Sequence, residues 1–106
     1  VLLRKRLDIT GVTKTKPELT GYAMQQNYPN PFNPSTVITF EIPVDSFVEL
    51  NVYDLLGREV TTLVKGERPA GKYSVSFDGG DMASGIYIYR LKAGEYTINR
   101  KMTLIR

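Results

Sequence analysis

Asp78 and Asp81, on either side of Gly79-Gly80, are the carboxylates whose spacing comes nearest to a chemical site. A calcium loop needs oxygen ligands at alternating positions, and this short run does not supply them. A turn built on Asx hydrogen bonds accounts for the same four residues. The serines Ser35, Ser46, Ser74, Ser76 and Ser84 have no histidine to activate them and no Gly-x-Ser-x-Gly setting. Histidine and cysteine are absent from the whole chain. That removes thiolate nucleophiles, His-based triads, disulfides and Cys/His zinc sites. The remaining carboxylates form no pair suited to acid/base work. The expectation is a protein that is not an enzyme and needs no cofactor or metal.

Two binding chemistries remain to be weighed. The chain has seven tyrosines, and a row of aromatics on one face could stack against sugar rings. Tyr53, Tyr73, Tyr87, Tyr89 and Tyr96 are spread over several predicted strands, and most alternate into the predicted interior, so core packing explains them better. The net charge is +3, with basic clusters at Arg4-Lys5-Arg6 and Arg100-Lys101. Nucleic-acid binding would need a basic face with stacking aromatics or a recognition helix, and no such helix is predicted. An acidic glycan remains compatible with the charge.

The elements that would position these residues are strands. Asn27-Tyr28-Pro29-Asn30-Pro31-Phe32-Asn33-Pro34-Ser35-Thr36 holds three prolines in ten residues. Each proline fixes its own φ and keeps its predecessor extended, which predicts a stiff, non-helical strap leading into a strand. Asn30 and Asn33 are expected to satisfy local backbone groups, and Phe32 to anchor the strap over the edge of the core. Beyond the strap, period-2 alternation takes over. Ile38, Phe40 and Ile42 share a face, and Pro43 ends that strand. Val48, Leu50 and Val52 face inward with Glu49 and Asn51 outside. Asp54-Leu55-Leu56-Gly57 is a turn into Val60, Thr62 and Val64, giving a hairpin. Lys65–Lys72 reads as a loop. Tyr73, Val75 and Phe77 form the next strand. Tyr87, Tyr89 and Leu91 lie in one that is apolar on both faces, as a central strand would be. Lys92-Ala93-Gly94-Glu95 turns into the last strand, whose inner face is Tyr96, Ile98, Met102 and Leu104. Arg100 is out of pattern there and reads as a bulge or a side chain reaching past the edge.

Six or seven short strands and no amphipathic helix predict an all-β fold, an immunoglobulin-like antiparallel β-sandwich of about seven strands. Met82-Ala83-Ser84-Gly85-Ile86-Tyr87 fits a tyrosine corner, with the Tyr87 hydroxyl bonded back to the preceding loop and Met82 plugging the core. Residues 21–106 read as the sandwich. Residues 1–20 read as the end of a preceding segment and a linker, with Thr13–Glu18 polar. Val1, with no initiator methionine and no signal peptide, reads as a cut end.

The strap, together with Tyr53-Asp54-Leu55-Leu56-Gly57-Arg58-Glu59-Val60, Gly71-Lys72-Tyr73, Ser84-Gly85-Ile86-Tyr87-Ile88-Tyr89-Arg90-Leu91 and the basic ending Lys101-Met102-Thr103-Leu104-Ile105-Arg106, resembles the C-terminal sorting domain (type A) of the type IX secretion system. The immunoglobulin-like domain of flagellar hook-capping proteins is similar too. The resemblance implies a non-catalytic address that directs a larger cargo through the periplasm and across the outer membrane, to be secreted or held at the cell surface. Its implied partners are the outer-membrane translocon and a sortase-like peptidase, with attachment of cargo to anionic lipopolysaccharide. It implies that recognition involves Lys101, Met102, Leu104, Ile105 and Arg106, with Asn30, Pro31, Phe32 and Asn33 as further candidates. The last strand could sit at a sheet edge and offer unpaired backbone groups to a receptor. Two other readings stand beside this one. One is a surface or filament subunit that self-associates by donating residues 1–12 as a strand. The other is a carbohydrate-binding attachment module.

Overall fold

The structure, a computed structural model, describes residues 21–106. The expectations for the Val1–Val12 strand and the Thr13–Glu18 linker lie outside the described residues. Seven strands run in the order β1 (Ala23–Met24), β2 (Ser35–Ile42), β3 (Ser46–Tyr53), β4 (Glu59–Arg68), β5 (Gly71–Asp78), β6 (Gly85–Ala93) and β7 (Tyr96–Leu104). They form two antiparallel sheets, β1-β2-β5 and β4-β3-β6-β7, packed as a sandwich. No helix occurs among the described residues.

The alternation read from sequence produces the core. Ile38, Phe40 and Ile42 from one sheet meet Val48, Leu50, Val52, Tyr87, Tyr89, Leu91, Met102 and Leu104 from the other, all essentially sealed from solvent. Each fully buried aliphatic or aromatic side chain contributes about 1.5–3 kcal/mol of transfer free energy. Tyr89 is the largest of them, and its hydroxyl cannot be left unpaired in that setting. It accepts the Asn27 N–H at 2.8 Å and donates to the Gln25 carbonyl at 3.0 Å, which ties the chain before β2 to the centre of the opposite sheet. Burial pushes the phenol above its ordinary pKa. Tyr87 donates its hydroxyl proton to the Ala83 carbonyl at 2.6 Å, and Met82 packs against the core, as expected for that corner.

Four details depart from the sequence pattern. Alternation places Asn51 outside, yet it is buried, because β3 is flanked on both sides and Tyr53 lies over its outer face. The Asn51 amide donates to the Tyr53 hydroxyl at 3.2 Å, while its Oδ1 has no partner. On β4, alternation turns Val60 and Thr62 inward with Val64. Instead Val60 is exposed and Thr62 is exposed beside it. The register pairs Leu50 with Val64 but Asn51 with Thr62, and Val52 with Thr61 but Tyr53 with Glu59. Leu63 and Val60 are the inserted residues, and each bulge inverts the facing of the residues beyond it. The loop expected at Lys65–Lys72 shrinks to Pro69-Ala70, since β4 runs to Arg68 and β5 begins at Gly71. Arg100 makes no bulge. β6 and β7 pair without interruption, and the Arg100 guanidinium reaches across to the Met24 carbonyl of the other sheet.

The Asp54–Gly57 turn is held by its first residue. Gly57 donates its N–H to the Asp54 carbonyl and sits at φ +85°, where a Cβ would be strained. The Asp54 carboxylate accepts the N–H groups of Leu56 and Arg58 at 2.9 and 3.0 Å and the Arg58 Nε–H at 2.8 Å. The Arg58 backbone N–H leads in holding this carboxyl below its ordinary pKa, opposed by partial desolvation. A depressed acid stabilises the fold above the unfolded carboxylate range and loses that contribution as pH falls through the folded value. In an NMR titration, Asp54 is therefore expected to protonate at lower pH than a model aspartate, with the protection of the Leu56 and Arg58 amides relative to their intrinsic exchange rates falling over the same interval. Tyr89→Phe leaves the buried Asn27 N–H and the partly buried Gln25 carbonyl without their partner, and denaturant unfolding should show a loss of about 1–3 kcal/mol.

Candidate recognition surface

The strap and the last strand make one structure. β7 is an edge strand, so alternate backbone groups on its outer side have no sheet partner. The strap supplies partners for those at its C-terminal end. Phe32 donates its N–H to the Thr103 carbonyl and accepts the Ile105 N–H, both at 2.9 Å, forming a parallel bridge beside Leu104. The Asn30 Oδ1 accepts the Thr103 N–H at 3.0 Å. The Gln26 side chain donates to the Lys101 carbonyl at 2.6 Å. The edge expected to be open is therefore closed from Thr103 onward.

Side chains hold the strap in that position. Phe32 is buried and meets the edge of the Phe77 ring at 5.9 Å between centroids. Asn27, also buried, donates from Nδ2 to the Pro29 carbonyl and to the Thr36 hydroxyl, which itself donates to Pro29. Pro34 accepts the Gly79 N–H at 2.7 Å, next to the Gly80 N–H bonded to Asp78 Oδ1, so the Asp78–Asp81 segment is the Asx turn expected of it. The peptide bonds before Pro29, Pro31 and Pro34 are all cis. Of the two asparagines singled out from sequence, Asn30 satisfies a backbone group, and the Asn33 side chain is exposed with no hydrogen bond among the described residues. Sequence reading missed Asn27. Its signal was its position: with Thr36 it brackets the proline run, where a pair of short polar side chains can close the strap on itself.

The other candidate residues separate by burial. Met102 and Leu104 are core residues. Lys101, Ile105 and Arg106 are exposed, as are Pro31 and Asn30. Arg106 is anchored by its N–H to the Ser84 hydroxyl and by its guanidinium to the Met82 carbonyl. On the outer face of β6 and β7, Arg90, Lys92 and Lys101 lie among Ile86, Ile88, Thr97, Asn99 and Thr103, and no carboxylate interrupts them. The Arg90 guanidinium sits 4.9 Å from the Tyr53 ring centre and donates from Nε to Asn99 Oδ1 at 2.8 Å. The tyrosines make no shared stacking platform. Tyr87 and Tyr89 are buried, Tyr22 stacks on Tyr96, and Tyr73 stacks on Phe40. No group of three or more His, Cys, Asp or Glu side chains among the described residues could hold a metal ion.

The described residues thus form a two-sheet sandwich whose last edge is buttressed by the strap. Residues 26–105 match the family described as the secretion system C-terminal sorting domain, and the chain belongs to that family. No curated protein matches it. The domain is a non-catalytic sorting signal for type IX secretion, which carries its protein across the outer membrane to the cell surface or the medium.

The strap contacts have a direct consequence. Asn30→Ala should leave the fold intact, cost about 1 kcal/mol, and speed amide exchange at Thr103. Asn30→Asp keeps an acceptor oxygen and should restore the protection; hydrogen exchange followed by NMR separates the two.

Proposed function

We propose that the export machinery reads the joined strap and tail as a single surface. The exposed side chains on it are Asn30, Pro31, Asn33, Lys101, Ile105 and Arg106. Phe32, Met102 and Leu104 act on recognition from beneath, by fixing where those side chains stand. The observation that carries this reading is the backbone pairing of Phe32 with Thr103 and Ile105. It makes two motifs far apart in sequence parts of one face, Asn30 and Thr103 being 73 positions apart. A partner that bound this face would test the strap and the tail together and would reject a chain in which either was misfolded.

In the same reading the sorting module is residues 21–106, and residues 1–20 are the end of the cargo segment and the linker that joins it. A sortase-like peptidase would cut in that linker, and the cargo would then pass to anionic lipopolysaccharide. The polar composition of Thr13–Glu18 and the resemblance to the type IX family support this placement.

Deleting Lys101–Arg106 would remove core residues as well as surface ones, so it tests folding and recognition together. The combined change Lys101→Glu, Ile105→Ser and Arg106→Glu touches only exposed side chains. It is expected to shift Tm little, since surface changes of this kind usually stay within about 0.5 kcal/mol each. A reporter fused to the variant should accumulate in the periplasm of a host with the type IX system. Export at the level of the parent domain would rule the reading out.

A further inference from the structure

The strap closes only part of the β7 edge. The bonds at Thr103 and Ile105 show which backbone groups face outward, and because β6 and β7 pair without a bulge, the same side is presented by Thr97, Asn99 and Lys101. The Lys101 carbonyl is taken by Gln26. The N–H and carbonyl groups of Thr97 and Asn99 and the N–H of Lys101 have no partner among the described residues. This open stretch is five residues long, about 17 Å, the length of an ordinary short strand.

Exposed straight edges are usually blunted, by bulges, prolines or shortness. The other edges differ in this respect. β4, at the far side of the same sheet, carries two bulges. β1 has two residues. β5 is straight, but its exposed face mixes Lys72 with Asp78 and has no single sign. The open part of β7 has neither bulge nor proline, and the charged side chains of its own outer face and of the directly paired residues of β6 at Asn99 and Lys101 are cationic. Lys101 is on its outer face and Arg90 lies on the adjacent strand, while Lys92 on that strand stands opposite Glu49 of β3.

We infer that the Thr97–Lys101 edge accepts an added strand from the export machinery, an extended segment whose side chains beside Lys101 are acidic. This rests on the sorting function. It goes beyond the reading of the strap and tail, because it places a second contact on backbone groups that those residues leave free. Main-chain hydrogen bonds would supply the affinity without demanding a particular sequence, and Lys101, with the field of Arg90 behind it, would select an acidic strand. The strap then sets the register. A strand growing along β7 must stop where Gln26 and Phe32 already occupy the edge.

Proline substitution separates this from a side-chain effect. The Asn99 N–H points away from β6, so Asn99→Pro removes an outward donor and breaks no ladder bond, the setting in which an edge strand tolerates proline. Asn99→Ala controls for the lost bond to Arg90. A reporter carrying Asn99→Ala should be exported like the parent. One carrying Asn99→Pro should be exported at least about tenfold less, with retention in the periplasm and a Tm near that of the alanine variant. Export of both variants, or retention of both, overturns strand addition. Should proline unfold the domain, the unmodified domain decides the matter: adding detergent-solubilised translocon should protect the Thr97 and Asn99 amides from exchange, and unchanged exchange there overturns the inference. A reporter lacking the domain altogether must stay in the periplasm. Its export would instead overturn the sorting function on which the inference rests.

Discussion

The sandwich depends on how one edge is finished. A β-sheet that stops at β7 leaves polar backbone groups facing outward, and those near the chain end would otherwise expose the core beside Leu104. The strap meets this demand with two backbone bonds from Phe32 and side-chain bonds from Asn30 and Gln26. It stays there because the Phe32 ring is sealed against Phe77 and because Asn27 and Thr36 close the proline run upon itself. Apolar burial holds the segment, and hydrogen bonding fixes its register. Neither alone would do both.

A second tie runs through the middle. Tyr89 sits at the centre of the four-stranded sheet, yet its hydroxyl is bonded to the backbone of Gln25 and Asn27 at the start of the strap. Arg100, on the neighbouring strand, reaches the Met24 carbonyl. The segment 24–32 is thus stitched to β6 and β7 at successive points. The surface proposed for recognition is set by the same contacts that complete the fold, and core residues such as Met102 and Leu104 lie within the same segment as the exposed Lys101, Ile105 and Arg106.

The function leaves little trace in the form of reactive groups. In the proposed reading, recognition uses a shape that is present only when the domain has folded, together with a charge pattern and accessible backbone. Arg90 and Lys101 give the outer face of β6 and β7 a positive sign, and Lys92 stands opposite Glu49 of β3. Stacking of Arg90 on Tyr53 and its bond to Asn99 hold that charge in place without neutralising it.

Much of this was legible in the chain. Period-2 alternation fixed which residues of β2, β6 and β7 face inward, because side chains on an extended backbone must alternate. Asp54 and Gly57 marked a turn through their local chemistry, and Tyr87 marked the corner that its hydroxyl closes. The β4 bulges escaped notice because an inserted residue is decided by the neighbouring strand, and Val60 and Thr62 alternate well enough by themselves. Asn51 looked like a surface residue because nothing local says that Tyr53 will cover it. The chain by itself determined strand, turn and core, since these arise from short-range geometry and hydrophobicity. Only the folded structure decided that residues near position 30 would close the edge near position 103 and that Thr97–Lys101 would find no backbone partner among the described residues, because which backbone groups remain unpaired depends on which distant segments come to lie beside them.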